Sequence, residues 1–167
     1  MLFNWFKRFS VSNKEATLKS IFICSSAGQT MFSVEMAEAI ENRGLKGDRY
    51  FNKQGYWDPV EGCQVTLISC HDIKLAQSEC TLNLNSGIHR RNLVIEGIKT
   101  KSLEGQTFQI GSAVFAYEKP RPPCGYLNKI EGRGLASALS YNSGICIRVI
   151  KSGQIKAGDR LKLISSI

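Results

Sequence analysis

The sequence predicts a mainly β, barrel-like domain with a few short peripheral helices, and two observations carry that reading. Short β-rich apolar runs recur from one end of the chain to the other, and tight, mostly glycine-containing turns separate them. That combination argues for a barrel of antiparallel strands and against a doubly wound sheet.

Taken in order, Leu18 to Cys24 (LKSIFIC) reads as a strand that stops at the turn Ser25-Ser26-Ala27-Gly28. Ser33 to Asn42 (SVEMAEAIEN) carries Val34, Ala37 and Ile40 at helical spacing, with Ser33 as N-cap and Gly44 just past the end, so a helix is predicted there. It leads into a glycine-bounded polar loop, Gly44 to Tyr50. Gln64 to Ser69 is a strand, and Ser69 caps a helix that runs to Ser78 with Ile73, Leu75 and Ala76 on it. Asn92 to Glu96, Thr107 to Ile110 and Ala113 to Tyr117 are three further strands. Leu127 to Tyr141 is apolar at helical spacing but broken by Gly132 and Gly134, which fits two short helical pieces. Ile145 to Lys151, Gln154 to Ile155 and Arg160 to Ile164 close the chain as hairpin strands around Ser152-Gly153 and Ala157-Gly158-Asp159.

At 167 residues the chain suits one domain, large enough to bury roughly 70% of the surface of its unfolded form. Residues 1–16 read as an N-terminal tail and 17–167 as the folded unit. The apolar run in Met1 to Ser10 is broken by Asn4, Lys7 and Arg8, which excludes a signal peptide and a membrane span. A short amphipathic helix on a membrane surface and a frayed or packed end both remain open. The net charge of +8 implies an anionic partner, but the 22 lysines and arginines are dispersed with no block of five, and no zinc-finger spacing or heptad accompanies them. No nucleic-acid partner is expected.

Six cysteines with no secretory segment before them indicate free thiols in a reducing cytoplasm. Cys24 and Cys146 interrupt apolar strands and read as small core residues; Cys70 and Cys80 flank the second helix; Cys63, after Gly62, has no assignment. With no Cys-x-x-Cys pair and only His71 and His89, zinc is not expected. Cys124 differs. It stands in Pro120-Arg121-Pro122-Pro123-Cys124-Gly125, where three prolines in four positions fix φ, remove backbone donors and forbid a helix interior or central strand. A stiff loop with Lys119 and Arg121 nearby suits a thiolate, the form that is both nucleophile and metal ligand. The alternative is an inert cysteine in a loop made rigid for packing.

Two cationic motifs accompany it. Lys46-Gly47-Asp48-Arg49 could let backbone amides and a guanidinium approach an oxyanion, or be a tight turn with Asp48 on local backbone and Arg49 in a surface pair. His89-Arg90-Arg91-Asn92, at the mouth of a strand, reads equally as a phosphate clamp or a solvated charge pair.

Gly44-Leu45-Lys46-Gly47-Asp48-Arg49-Tyr50, Gln64 to Ile68, Arg90-Arg91-Asn92-Leu93-Val94, Gly97, Leu103-Glu104-Gly105, Ile110-Gly111, Pro123-Cys124-Gly125-Tyr126-Leu127 and Gly153 to Asp159, in this order and spacing, resemble the MOSC family, the domain named for the molybdenum cofactor sulfurase C-terminal region. The resemblance implies a barrel-like domain in which one cysteine, here Cys124, either carries sulfur as a persulfide or ligates molybdenum in bound molybdopterin. It implies that Lys46, Arg49, Arg91 and Asn92 bind the anionic part of that cofactor, with pyridoxal phosphate binding among the ligand properties of the family. Some members reduce N-hydroxylated compounds with molybdenum, so a molybdenum-dependent reductase is one alternative; a non-catalytic anionic-ligand module is another. A cysteine desulfurase or a redox protein is the implied partner. Some relatives have a further cysteine shortly before the functional one, where this chain has Arg121-Pro122-Pro123, so Cys124 is expected to act alone. An electron-transfer partner is expected to be a separate protein, since the chain has no room for the additional domains of larger relatives.

Overall fold

The computed structural model describes residues 15–58 and 62–165, so the expectations for Met1 to Ser10 lie outside the described residues. Strands are β1 (Thr17–Ile23), β2 (Phe32–Val34), β3 (Met36–Ile40), β4 (Gly44–Leu45), β5 (Val65–Ser69), β6 (Leu93–Glu96), β7 (Thr107–Ile110), β8 (Ala113–Pro120), β9 (Ile145–Lys151), β10 (Gly153–Lys156) and β11 (Leu161–Ile164). Three short helices, α1 (Cys70–Ser78), α2 (Gly125–Glu131) and α3 (Leu135–Leu139), lie among them. The fold is mainly β, as expected.

Eight strands form one sheet in the order β11-β7-β8-β9-β5-β6-β1-β2, and β10-β3-β4 form a second. Among the described strands only β5 and β6 run parallel, which requires a crossover, and α1 lies in it. The large sheet is rolled. Leu161 N donates to Ala16 O and Leu18 N to Asp159 O, both at 2.8 Å, and a single bridge pairs Thr17 with Arg160. These contacts bring the β11 end back to β1 without a continuous ladder, so the roll is barrel-like but not a closed barrel.

Strand alternation explains why it rolls. Leu67 on β5, Leu93 and Ile95 on β6, Phe108 and Ile110 on β7, Phe115 on β8, and Ile145, Ile147 and Val149 on β9 all face one interior cluster, joined by Ala39, Leu45 and Ile155 of the small sheet. The intervening Ile68 and Val94 face outward into a second cluster with Ile73 of α1, Leu127 of α2 and Leu135 and Leu139 of α3. Helices thus cover the part of the roll where β5 and β6 are apolar on both faces. Ser69 caps α1, its Oγ accepting from Asp72 N at 3.2 Å.

The helix predicted over Ser33 to Asn42 is not formed. Val34 and Ser33 pair with Ile21 and Phe22 of β1, and Met36 to Ala39 pair with β10. Alanine, glutamate and methionine favour helices intrinsically, but Ala37 and Ala39 point inward while Met36 and Glu38 point out, and edge pairing with two sheets outweighs propensity. The two helical pieces between Leu127 and Tyr141 and the strands around them lie where expected.

Two substitutions test this architecture in urea-denaturation midpoints. Phe115→Ala, emptying a fully buried position stacked on Phe108, is expected to cost about 3–5 kcal/mol. Gly144 has φ of 93° and no room for a Cβ against Leu67 O, so Gly144→Ala is expected to cost about 1–3 kcal/mol.

Candidate functional site

Chain ends from several strands meet at one cleft. It is lined by Ala27 after β1, by Arg49, Tyr50, Tyr56 and Trp57 from the long loop after β4, by Arg90 and Arg91 before β6, and by Arg121, Pro122, Cys124, Tyr126 and Leu127 after β8. Four arginines line it, and no carboxylate is among the described lining residues. Such a wall favours an anion.

The proline loop leaves the sheet in a fixed direction. Pro120 is still paired with Ile145, and Arg121 N donates to Gly144 O at 3.0 Å, so the chain stays anchored to β9 one residue beyond the strand. Pro122 and Pro123 carry it to Cys124, which is extended (φ −130°, ψ 162°), half-buried and the first residue before α2; its carbonyl accepts from Leu127 N at 3.0 Å. The prolines therefore hold the thiol at the cleft wall.

Arg49 is not in a surface pair. Its side chain is 6% exposed, with Nη1 donating to Asp48 Oδ1 at 3.2 Å and Met31 Sδ at 3.3 Å, and Nη2 donating to Arg90 O at 2.9 Å and Tyr50 OH at 3.4 Å. Asp48, fully buried, also accepts from Tyr50 N, the local backbone bond that the tight-turn alternative implied, and from Cys24 N, 24 positions away just past the end of β1. Burial alone would push the guanidinium down, but Tyr50, Asp48 and Cys24 together outweigh it and the net direction is up. Arg90 adopts φ of 61°, which is uncommon for a residue with a Cβ. It is held by its carbonyl bond to Arg49 and by Nη1, which donates to Gln29 O at 2.7 Å and Glu131 Oε1 at 2.8 Å.

Arg91 is different. It is 2% exposed, and Nε and Nη2 donate to the carbonyl (2.6 Å) and hydroxyl (2.7 Å) of Ser143, but no carboxylate lies within ion-pairing distance among the described residues. Burial lowers its pKa; Tyr50 and the Cys146 and Cys63 thiols oppose that, and Arg49 adds to it. Next to it His89 is fully buried, its Nδ1 accepting from Arg91 N at 2.9 Å, so the neutral ring keeps its proton on Nε2. Burial and then Arg91 push His89 down to about 3.

Of the residues singled out in the sequence, Cys124, Arg49 and Arg91 line this one cleft. Lys46 does not: its Nζ is 3.4 Å from Glu38 on the surface. The Asn92 amide is fully buried, with Oδ1 accepting from Thr66 N and Oγ1 at 3.0 Å and Nδ2 donating to Phe22 O at 3.1 Å, so it joins β5, β6 and β1. His89 to Asn92 are buried throughout and form no solvated charge pair. Sequence reasoning missed the aromatic rim, where Tyr56 stacks on Tyr126 with ring centroids 3.7 Å apart and Trp57 meets Tyr56 edge-on. The signal was present: two adjacent aromatics in a polar, glycine-containing loop.

A sequence model of the MOSC domain matches residues 58–162. No curated protein matches. Among solved structures, the YuaD protein from Bacillus subtilis superimposes with a TM-score of 0.72 at 18% identity, over 91% of this chain and 97% of its own. YiiM from Geobacillus stearothermophilus gives 0.69 at 16% identity over 90% of this chain and 75% of its own, and YiiM from Escherichia coli 0.57 at 18% over 90% and 71%. At these identities the likeness is one of fold.

The buried His89 makes the site acid-sensitive. Between about pH 6.5 and 3 the unfolded chain binds a proton at this residue that the folded chain refuses, so stability is present above that window and is lost as pH falls through it. The loss from this one group is on the order of 5 kcal/mol. Urea midpoints measured across pH should fall less steeply for His89→Gln than for wild type; parallel slopes would assign the acid sensitivity elsewhere.

Proposed function

This chain belongs to the MOSC domain family, and from that premise we propose that its arginine-lined cleft binds molybdenum cofactor, a molybdopterin, with Cys124 as the sulfur ligand to the metal. The observation that carries the reading is Arg91, a buried guanidinium facing a cleft with no carboxylate to balance it. A buried cation is costly unless paired, and Arg49 and Arg90 already have Asp48 and Glu131. An incoming phosphate would complete the pairing that the protein leaves open at Arg91, with Arg121 on the same wall.

The thiol and the rim fit the rest of such a group. Among the described residues no cluster of three or more His, Cys, Asp or Glu could cage a metal. A metal at Cys124 must therefore bring most of its ligands with it, as a pterin-bound metal does. Tyr56 and Tyr126 offer stacked aromatic surface at the rim for a planar ring. Arg121, tied to Gly144 through its backbone N–H, and the Cys124 thiol three residues on line the same cleft, so a cation for the anionic group and a sulfur for a soft metal stand on one short loop. When bound, the cofactor supplies a redox-active molybdenum centre, the chemistry needed to reduce N-hydroxylated compounds with electrons from a partner protein. We take residues 17–167 as the functional unit, because β1, which lies before the family match, contributes Leu18 and Ile21 to the interior.

The half-exposed position of Cys124 favours a second reading, in which the thiolate accepts sulfane sulfur from a cysteine desulfurase and carries it as a persulfide. One experiment separates the two. Protein purified anaerobically under reducing conditions is assayed for molybdenum, pterin fluorescence and cyanide-releasable sulfur, as wild type and as Cys124→Ala. Wild type is expected to contain molybdenum and pterin, with molybdenum lost by at least tenfold in Cys124→Ala. Cyanide-releasable sulfur without molybdenum would favour the carrier; equal contents in both proteins, or none in either, would sink the assignment of Cys124.

A further inference from the structure

Cys63 and Cys146 lie 83 positions apart in the chain, and the fold brings their sulfurs to 2.7 Å. Cys146 is on β9 with its side chain on the face away from the roll's interior, paired in register with Thr66 on one side and Lys119 on the other. Cys63 stands two residues before β5, and both sulfurs pack with Tyr50, a lining residue of the cleft, in a small cluster of their own. A disulfide bond is about 2.05 Å long, so the two sulfurs need to move less than an ångström to form one. The surroundings also divide the labour. The Cys63 thiol donates to Cys146, and that bond, with Arg121, Arg91 and Lys119, pulls Cys146 below the usual thiol range against the effect of burial. Burial pushes Cys63 up. A thiolate beside a thiol is the pairing that captures an oxidant and then resolves it.

We propose that Cys63 and Cys146 are a redox-active dithiol that closes to a disulfide with a hydroperoxide, and that closure strengthens anion binding in the cleft above it. The Cys146 thiolate attacks one oxygen of hydrogen peroxide, the O–O bond breaks, and the departing hydroxide takes a proton to leave as water. The sulfenic acid so formed is in contact with Cys63, whose sulfur displaces the hydroxyl; that hydroxyl leaves as a second water with the Cys63 proton, and the S–S bond is made. Two electrons pass from sulfur to oxygen. Closure removes the negative charge that Cys146 sets beside Arg91, so the guanidinium faces the cleft with less compensation. It also ties the chain arriving from Tyr56 and Trp57 to β9. The pair is separate from Cys124 and needs no cofactor.

The test uses full-length protein, reduced or treated with hydrogen peroxide, alkylated and mapped by mass spectrometry. A Cys63–Cys146 linked peptide is expected in the oxidised wild type, absent after reduction, retained in Cys124→Ala and absent in Cys63→Ser. Alkylated Cys63 and Cys146 after oxidation, or either one linked to a different cysteine, would overturn the proposal without touching the cofactor reading. Binding of inorganic phosphate, measured by calorimetry, should be severalfold tighter for the oxidised form. Equal binding in the two forms, including none in either, would overturn the coupling to the cleft.

Discussion

The Arg49 guanidinium is the joint from which the cleft is built. It reaches the loop after β4 through Asp48, the segment after β1 through Met31 and Cys24, and the segment before β6 through the carbonyl of Arg90. Only a planar group with several donors can hold three segments at once, and a lysine at this position would keep the charge while losing the fork. Because the cation is buried and hydrogen-bonded on several sides, its partners are fixed by the same bonds. The direction in which Arg90 and Arg91 leave the backbone follows from that arrangement.

The positive charge of the cleft is of a different kind from the charge of the whole chain. The net charge of +8 is carried by residues scattered through the sequence, and a surface lysine such as Lys46 meets a glutamate in water, where an ion pair contributes little. Inside the cleft the dielectric is lower and the buried guanidinium groups are held by hydrogen bonds, so Arg91 without a carboxylate matters more than several exposed cations. That difference separates an anion site from a basic surface.

The strands other than β2, β3 and β4 were legible because they follow hydrophobic alternation, and α1 because Ser69 caps it. Leu67, Phe108, Phe115 and Ile147 can be placed on one face by counting in twos. The segment 33–42 was misread because its residues favour a helix locally, whereas the partners that make it two strands, Ile21 to Ile23 and Gly153 to Lys156, are distant in the chain. The candidate site was legible in part. Prolines announced Cys124 and a family resemblance drew attention to Arg49 and Arg91, but no spacing in the sequence reports that Asn92 turns inward to Thr66 or that Cys63 meets Cys146. Contacts across 26 and 83 positions are products of sheet order, and sheet order is not written in any local pattern.

In extended chain consecutive side chains point to opposite faces, so one strand end can ordinarily give a cleft only every second residue. The reversed φ of Arg90 breaks that parity. Two adjacent arginines reach the same wall while His89 and Asn92, on either side, are spent on the packing beneath it. Position 90 therefore carries two demands that different amino acids meet best, backbone freedom by glycine or asparagine and charge by arginine. A redesign that relaxes the backbone there would remove one of the four guanidinium groups that line the cleft, and one that keeps the charge inherits the strain.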